Sequence, residues 1–309
     1  TISHCDWSSD VCSSDLALAS FDFAIAIGGE AGQGIATPGD ILARIFVRRG
    51  LHLNTYNAYQ SIIRGGHIFL YVRVCDQEIH THGDKLDLLI CLNQDTMDRH
   101  LQLMGPGSAV LYDGDNITPG EAADGVQMCP LPVAELSNTR NRLSQNTMAV
   151  GSAAYLLGLD FEVLEESLTL RFQRQGQAVI DENVGVARAG YDHAVANFKA
   201  FAQTVPTGPK PLAVWSGNDA LAMGGAAAGV KFYAAYPMSP ATGVLHWMAQ
   251  NARNLGIMVR QVEDEIGVAN MVIGAAHTGC RSMCATSGGG FALMTEAVGA
   301  ADRKSTRLN

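Results

Sequence analysis

The chain reads as an α/β protein whose parallel sheets are packed between helices, and three observations predict this. Short apolar runs alternate with segments of helical spacing from residue 21 to residue 301. Glycine-rich turns close several of those runs just before a helix-like segment begins. A cluster at Pro206, Gly208, Pro209 and Pro211 suits neither helix nor central strand, and divides the pattern into two domains, 17–205 and 206–301.

In the first domain the run 21–27 is a strand, followed by the turn Gly28-Gly29-Glu30-Ala31-Gly32-Gln33-Gly34. Residues 38–48 have helical spacing, with Ile41, Leu42, Ile45 and Phe46 on one face. Further strands are predicted over 51–56, 67–74, 86–92 and 110–112, and a helix rich in small residues over 145–157. In the second domain a helix of small residues spans 218–229 and a strand 231–235. An amphipathic helix over 242–254, a strand over 258–262 and a helix over 265–276 follow. A strand over 280–285 and a helix over 291–298 complete the pattern.

Composition narrows the function classes. The chain has 309 residues, a formal net charge of −9 and 33 glycines. An acidic balance argues against nonspecific nucleic-acid binding, which needs clustered Lys and Arg. No uninterrupted apolar run reaches the roughly 18 residues that span a bilayer, so no membrane association is expected. Of the seven cysteines, Cys75, Cys91, Cys129, Cys280 and Cys284 lie within the two domains and form no C-x-x-C pair. An iron–sulfur cluster needs closer thiolate spacing. Reduced thiols in a cytoplasm are the expectation.

The two ends are set apart. Residues 6–16 translate a sequencing-library adapter and residues 302–309 its opposite strand. Segments 1–16 and 302–309 are therefore expected to lie outside the fold, and the chain to be an interior fragment truncated within its second domain.

The glycine-rich turn departs from a dinucleotide fingerprint. Counted from Gly32, the third glycine position holds Thr37, and no Asp or Glu stands near Asn54 or Tyr56 to meet a ribose. Gly29, Gly32 and Gly34 still allow backbone amides to approach a phosphate at a helix start; a tight strand-to-helix turn is the other reading. A second constellation, Ser61-Ile62-Ile63-Arg64-Gly65-Gly66-His67, sets a guanidinium beside two glycines, where it can meet an anion or anchor a loop.

Three segments of the second domain carry the stronger chemistry. Tyr236-Pro237-Met238-Ser239-Pro240 and Thr286-Ser287-Gly288-Gly289-Gly290 bracket the acidic helix start Glu263-Asp264-Glu265. Each follows a predicted strand and precedes a predicted helix, which places all three on the rim where open α/β sheets bind ligands. On charge alone the three acids read as a first helical turn opposing the helix dipole; the flanking loops turn that reading toward a site. Lone histidines such as His246 and His277 read as structural.

This arrangement closely resembles the alpha subunit of 2-oxoacid:ferredoxin oxidoreductases, whose usual motifs are Tyr-Pro-Ile-Thr-Pro, Glu-x-Glu and Thr-Ser-Gly-Pro-Gly. The segments Gly29–Gly34 and Ser61–Gly66 resemble the gamma domain of the same family, fused ahead of the alpha domain as in some members. The resemblance implies a Rossmann-like gamma domain followed by the first part of a thiamine diphosphate pyrimidine-binding domain. By alignment with the family motif, Glu265 implies the carboxylate beside the pyrimidine N1′. Ser239 implies the hydroxyl near the reacting carbon, in place of the usual threonine. Tyr236, Pro237, Ser287 and Gly288 imply the rest of the pyrimidine site, with Gly289 where proline is usual. Gly29, Gly32, Gly34 and Arg64 imply cofactor contacts in the gamma domain, which the family links to coenzyme A.

The implied reaction is oxidative decarboxylation of a 2-oxoacid, 2-oxoglutarate favoured by the fused order. Coenzyme A takes the acyl group and ferredoxin the electrons. The family's Mg²⁺, diphosphate and iron–sulfur sites belong to a separate beta subunit, and this chain has no Gly-Asp-Gly with a downstream Asn to hold them. The family's substrate arginine lies downstream of Ala301. Two alternatives stay open at this point: another thiamine diphosphate decarboxylase or transketolase-like enzyme, and a non-catalytic nucleotide-binding or assembly module.

Overall fold

A computed structural model describes residues 21–30, 32–58, 66–137 and 142–305. The chain divides at Val214/Trp215 into two compact units. In the first, β1 (Asp22–Glu30), α1 (Ala36–Arg48), β2 (His52–Ala58) and β3 (His67–Cys75) are followed by β4 (Leu88–Cys91) and α2 (Gln94–His100). Then come β5 (Ala109–Asp113), β6 (Gln127–Leu131), α3 (Val133–Leu136), α4 (Arg142–Leu156), α5 (Phe161–Phe172) and α6 (Gln177–Asn197).

The strands form one sheet in the order β2-β3-β1-β4-β5-β6. Strands β1, β4, β5 and β6 pair in parallel, whereas β3 runs antiparallel to both β1 and β2. The sheet is thus mixed rather than wholly parallel. The span between Ala58 and His67 explains the difference: a parallel crossover needs about a dozen residues or more, and this connection is too short. Strand β1 is central and buried on both faces, as its near-continuous apolar run requires. Its Phe23, Ile25 and Ile27 pack with Ile41, Leu42 and Ile45 of α1 and Met148 and Val150 of α4. Ala24 and Ala26 face Leu89, Met97 and Leu101 on the other side.

Strand β1 also runs three residues further than expected. Gly28, Gly29 and Glu30 remain in the ladder, opposite Phe69, Ile68 and His67, so the turn starts after Glu30.

The second unit contains α7 (Gly217–Ala227), β7 (Phe232–Ala235), α8 (Thr242–Leu255), β8 (Met258–Gln261), α9 (Glu265–His277), β9 (Ser282–Cys284) and α10 (Gly289–Ser305). The three strands are parallel in the order β8-β7-β9. Side-chain alternation on β7 separates two cores. Tyr233 and Ala235 pack with Ala222 of α7 and with Val244, Leu245 and Met248 of α8. Ala234 packs with Val268 and Ala269 of α9 and Met294 and Ala297 of α10. Helix α10 starts two residues before the expected 291 and continues through Ser305. Among the described residues no helix is long and apolar enough to cross a membrane.

Candidate functional site

In the second unit β7 is flanked on both sides by parallel neighbours, so three strand ends open onto one rim. The chain leaving β7 enters α8 on one face of the sheet, while those leaving β8 and β9 enter α9 and α10 on the other. Loops that diverge to opposite faces leave a crevice outside the carboxyl ends of the strands.

The acidic segment enters this rim after β8. Asp264 is the N-cap of α9 and accepts a 2.6 Å hydrogen bond from the Gly267 amide. Its side chain is thereby spent on the helix start, and both Asp264 and Glu263 are exposed. Glu265, the first helical residue, turns the other way and is only 4% exposed. Its Oε1 is buried and has no hydrogen-bond partner. A buried carboxylate oxygen left unpaired costs at least about 1–3 kcal/mol, so its persistence points to a partner absent from the polypeptide. Of the three acids only Glu265 has the surroundings of a site residue.

The carboxylate rests in a cradle made by Gly290. A Cβ on Gly290 would lie 2.7 Å from Glu265 Oε1 and closer still to Thr286 Oγ1; glycine is required for the approach. The loop after β9 is joined to the loop after β7 at two points. Ser287 Oγ donates to the Ser239 carbonyl at 2.7 Å, and Thr286 Oγ1 donates to Met238 Sδ at 3.9 Å. Asn218 Nδ2 of α7 donates to the Pro240 carbonyl at 2.8 Å, holding the far end of that loop. Tyr236 is 39% exposed at the rim, Pro237 is half-buried and Ser239 exposed. Gly288 takes φ +47°. Tyr236, Pro237, Ser239, Glu265, Ser287 and Gly288 therefore share one edge of one sheet.

These features fit the pyrimidine half of thiamine diphosphate. An unpaired buried carboxylate oxygen can share a proton with a ring nitrogen, and Gly290 lets the chain approach that carboxylate closely. Among the described residues no group of three or more His, Cys, Asp or Glu could hold a metal ion.

The turn after β1 is built differently. Gln33 Oε1 accepts from the Glu30 amide at 2.7 Å, the Gln33 amide donates to the Glu30 carbonyl at 3.0 Å, and Asn146 Nδ2 donates to the Gln33 carbonyl. Gly32 and Gly34 take φ +95° and +78°, which non-glycine residues rarely adopt. Gly29, still in the strand, is crowded by Gln33, Ile35 and Leu92. Arg64, with Ser61 and Gly65, lies outside the described residues.

A histidine pair with no local sequence signal stands beside this turn. His67, at the start of β3, and His100, at the end of α2, place their Nε2 atoms 2.8 Å apart, so one ring donates and the other accepts. Burial lowers the proton affinity of both; His100 falls to about 4, with His67 and Arg99 adding to the effect. His246 and His277 are exposed. A shallow cavity of about 310 Å³, lined by Asp115, Pro130, His193 and Phe198 among others, contains none of the predicted site residues. Sequence reasoning also gave no separate role to Thr286, Gly290 or Asn218; the third glycine of the run was the one available signal for the cradle.

Comparison with known proteins gives two family matches. The family of pyruvate ferredoxin/flavodoxin oxidoreductases matches residues 24–193. The thiamine-diphosphate-binding domain of pyruvate flavodoxin/ferredoxin oxidoreductases matches residues 223–306. The alpha subunit of 2-oxoacid:ferredoxin oxidoreductase 2 from Aeropyrum pernix is 27% identical over 90% of this chain and 52% of its own length. The 2-oxoglutarate oxidoreductase subunit KorA of Mycobacterium tuberculosis is 27% identical over 89% of this chain and 48% of its own. In the solved structures, 2-oxoglutarate:ferredoxin oxidoreductase from Magnetococcus marinus, with 2-oxoglutarate, coenzyme A and succinyl-CoA bound, superposes with a TM-score of 0.77. It is 32% identical, over 89% of this chain and 49% of that one. The chain spans about half the length of these relatives.

Proposed function

The chain belongs to the pyruvate ferredoxin/flavodoxin oxidoreductase family, and on that premise we propose that it is the gamma-and-alpha part of a 2-oxoacid:ferredoxin oxidoreductase. The reaction is oxidative decarboxylation of a 2-oxoacid to an acyl-CoA and carbon dioxide, with electrons passed to ferredoxin. Relatives named for 2-oxoglutarate favour that substrate. The observation that carries the reading is Glu265: buried, unpaired at Oε1, and framed by two loops that bond to each other.

Thiamine diphosphate would supply a nucleophilic carbon and an electron sink for decarboxylation of the 2-oxoacid. Glu265 holds a proton against the pyrimidine N1′ from its cradle over Gly290. Ser239 is exposed and Ser287 engages only its carbonyl, which leaves the Ser239 hydroxyl available to meet substrate. Tyr236 and Pro237 wall the rim and exclude water from the ring. The diphosphate, Mg²⁺ and an iron–sulfur cluster fall to a beta subunit, so this polypeptide is inactive without that partner. Coenzyme A is assigned to the first unit, as the resemblance to the gamma domain implies.

The test is co-purification of the full-length protein with its beta partner, followed by assay of ferredoxin or viologen reduction. Reduction that requires both a 2-oxoacid and coenzyme A supports the proposal. Cofactor binding without turnover in the complete complex would favour a non-catalytic module, and decarboxylation without ferredoxin reduction another thiamine diphosphate enzyme.

A further inference from the structure

We propose that Thr286 is a positioning residue for Glu265: its hydroxyl leaves the Met238 thioether and donates to Glu265 Oε1 when the cofactor ring enters the site. The inference rests on the thiamine diphosphate reading above and assigns a role within it that no part of that reading requires.

The donors around the unpaired Glu265 oxygen are spent elsewhere, with one exception. The Gly290 amide is spent on the Ser287 carbonyl at 3.0 Å. The Ser287 hydroxyl is spent on the Ser239 carbonyl at 2.7 Å. The Gly267 amide is spent on Asp264. The Thr286 hydroxyl is held only by a thioether at 3.9 Å, and thioether sulfur is a weak acceptor. Thr286 Oγ1 and Glu265 Oε1 also crowd the same point, where a Gly290 Cβ would stand. A carboxylate is much the stronger acceptor for that hydroxyl, and threonine's few staggered rotamers make the exchange a discrete step.

The exchange has a consequence for the carboxyl group's aim. A carboxylate anchored through one oxygen presents the other in a fixed direction, which is what proton sharing with a ring nitrogen needs. Without the anchor the side chain is restrained by packing alone. Gly290 serves both partners at once, since any side chain there would displace them together.

The test is a double-mutant cycle on thiamine diphosphate affinity, measured by titration calorimetry with Mg²⁺ in the full-length protein bound to its beta partner. Thr286→Val should weaken affinity about tenfold, the loss of one hydrogen bond to a charged group. Thr286→Ser, which keeps the hydroxyl, should stay within about twofold of the parent on the same principle. Thr286→Ala cannot overpack and should reproduce the valine result. In a Glu265→Gln background the valine change should cost little more, because coupled residues are non-additive. Unchanged affinity in both the valine and alanine variants, or the same loss with and without Glu265, overturns the inference while leaving the cofactor assignment standing. A parent complex that binds no thiamine diphosphate removes the assignment itself, and the inference with it.

Discussion

The two sheets present their strand ends in opposite ways. At the end of β1 the backbone groups of Glu30 and Gln33 are met from within the protein: Gln33 folds back on Glu30, and Asn146 closes over Gln33. At the ends of β7, β8 and β9 the loops are bonded to each other, but the acid between them is left unpaired. Glycines serve both places, with different results. In the first they make a tight turn; in the second, Gly290 makes room for a carboxylate. What sets the second rim apart is a buried acid, bordered by the glycine turn and left without a partner at Oε1.

The sharpest way to break that comparison is to neutralise the unpaired acid. Glu265→Gln in the full-length complex should lower turnover by about 10²–10⁴-fold, the usual worth of a positioned proton-transfer group. Assembly with the partner, followed by gel filtration, should be unaffected. Retained turnover would reduce the second rim to a turn like the first. Gly290→Ala comes next. The added Cβ must displace Glu265 and Thr286, so the variant should lose about 1–3 kcal/mol of stability in denaturant titration, as overpacked sites do. It should also lose thiamine diphosphate affinity. Gln33→Ala, the matching change at the first turn, should cost about 1 kcal/mol for the orphaned Glu30 amide and leave thiamine diphosphate affinity unchanged.

Acid should act mainly on the first unit. His67 and His100 bind protons less readily folded than unfolded, so the unfolded chain holds more protons between the folded value of about 4 for His100 and the ordinary 6.5. Stability therefore falls as pH drops through that window and is fully present above it. Thermal unfolding followed from pH 7 to 4 should show the decline, and His100→Phe should flatten it while keeping the stack on Phe69. Asp264→Ala removes the cap of α9 and should likewise cost only about 1 kcal/mol, far less than the functional loss at its neighbour. A full functional loss at Asp264 would mean that the acids act as a group.

Much of the architecture was legible in the sequence. The apolar runs at β3 and β7 and the amphipathic α8 have boundaries close to those expected, because each buries apolar residues that its pattern announces, and β8 also lies where expected although its residues are largely exposed. Strand β6 was not legible, since Pro130 stands in it; an edge strand tolerates the missing amide, but the pattern reads as broken. The reversed direction of β3 left no mark on side-chain alternation, which is the same for parallel and antiparallel neighbours; only the short connection before His67 carried it. At the site, the loops and Glu265 were reached through motif resemblance. The charge pattern could not separate three adjacent acids, since their fates differ by one helical position: Asp264 caps the helix, and Glu265 enters its first turn facing the core. The His67–His100 pair joins residues from two elements and has no local signature at all.

The most direct test of the central claim is a structure of the full-length protein with its beta partner, thiamine diphosphate and Mg²⁺ bound. One Glu265 carboxylate oxygen should lie within hydrogen-bond reach of the pyrimidine N1′, with the Tyr236–Pro240 and Thr286–Gly290 loops on either side of the ring. A ring bound at another edge, or a Glu265 side chain turned to solvent with the cofactor in place, would contradict it.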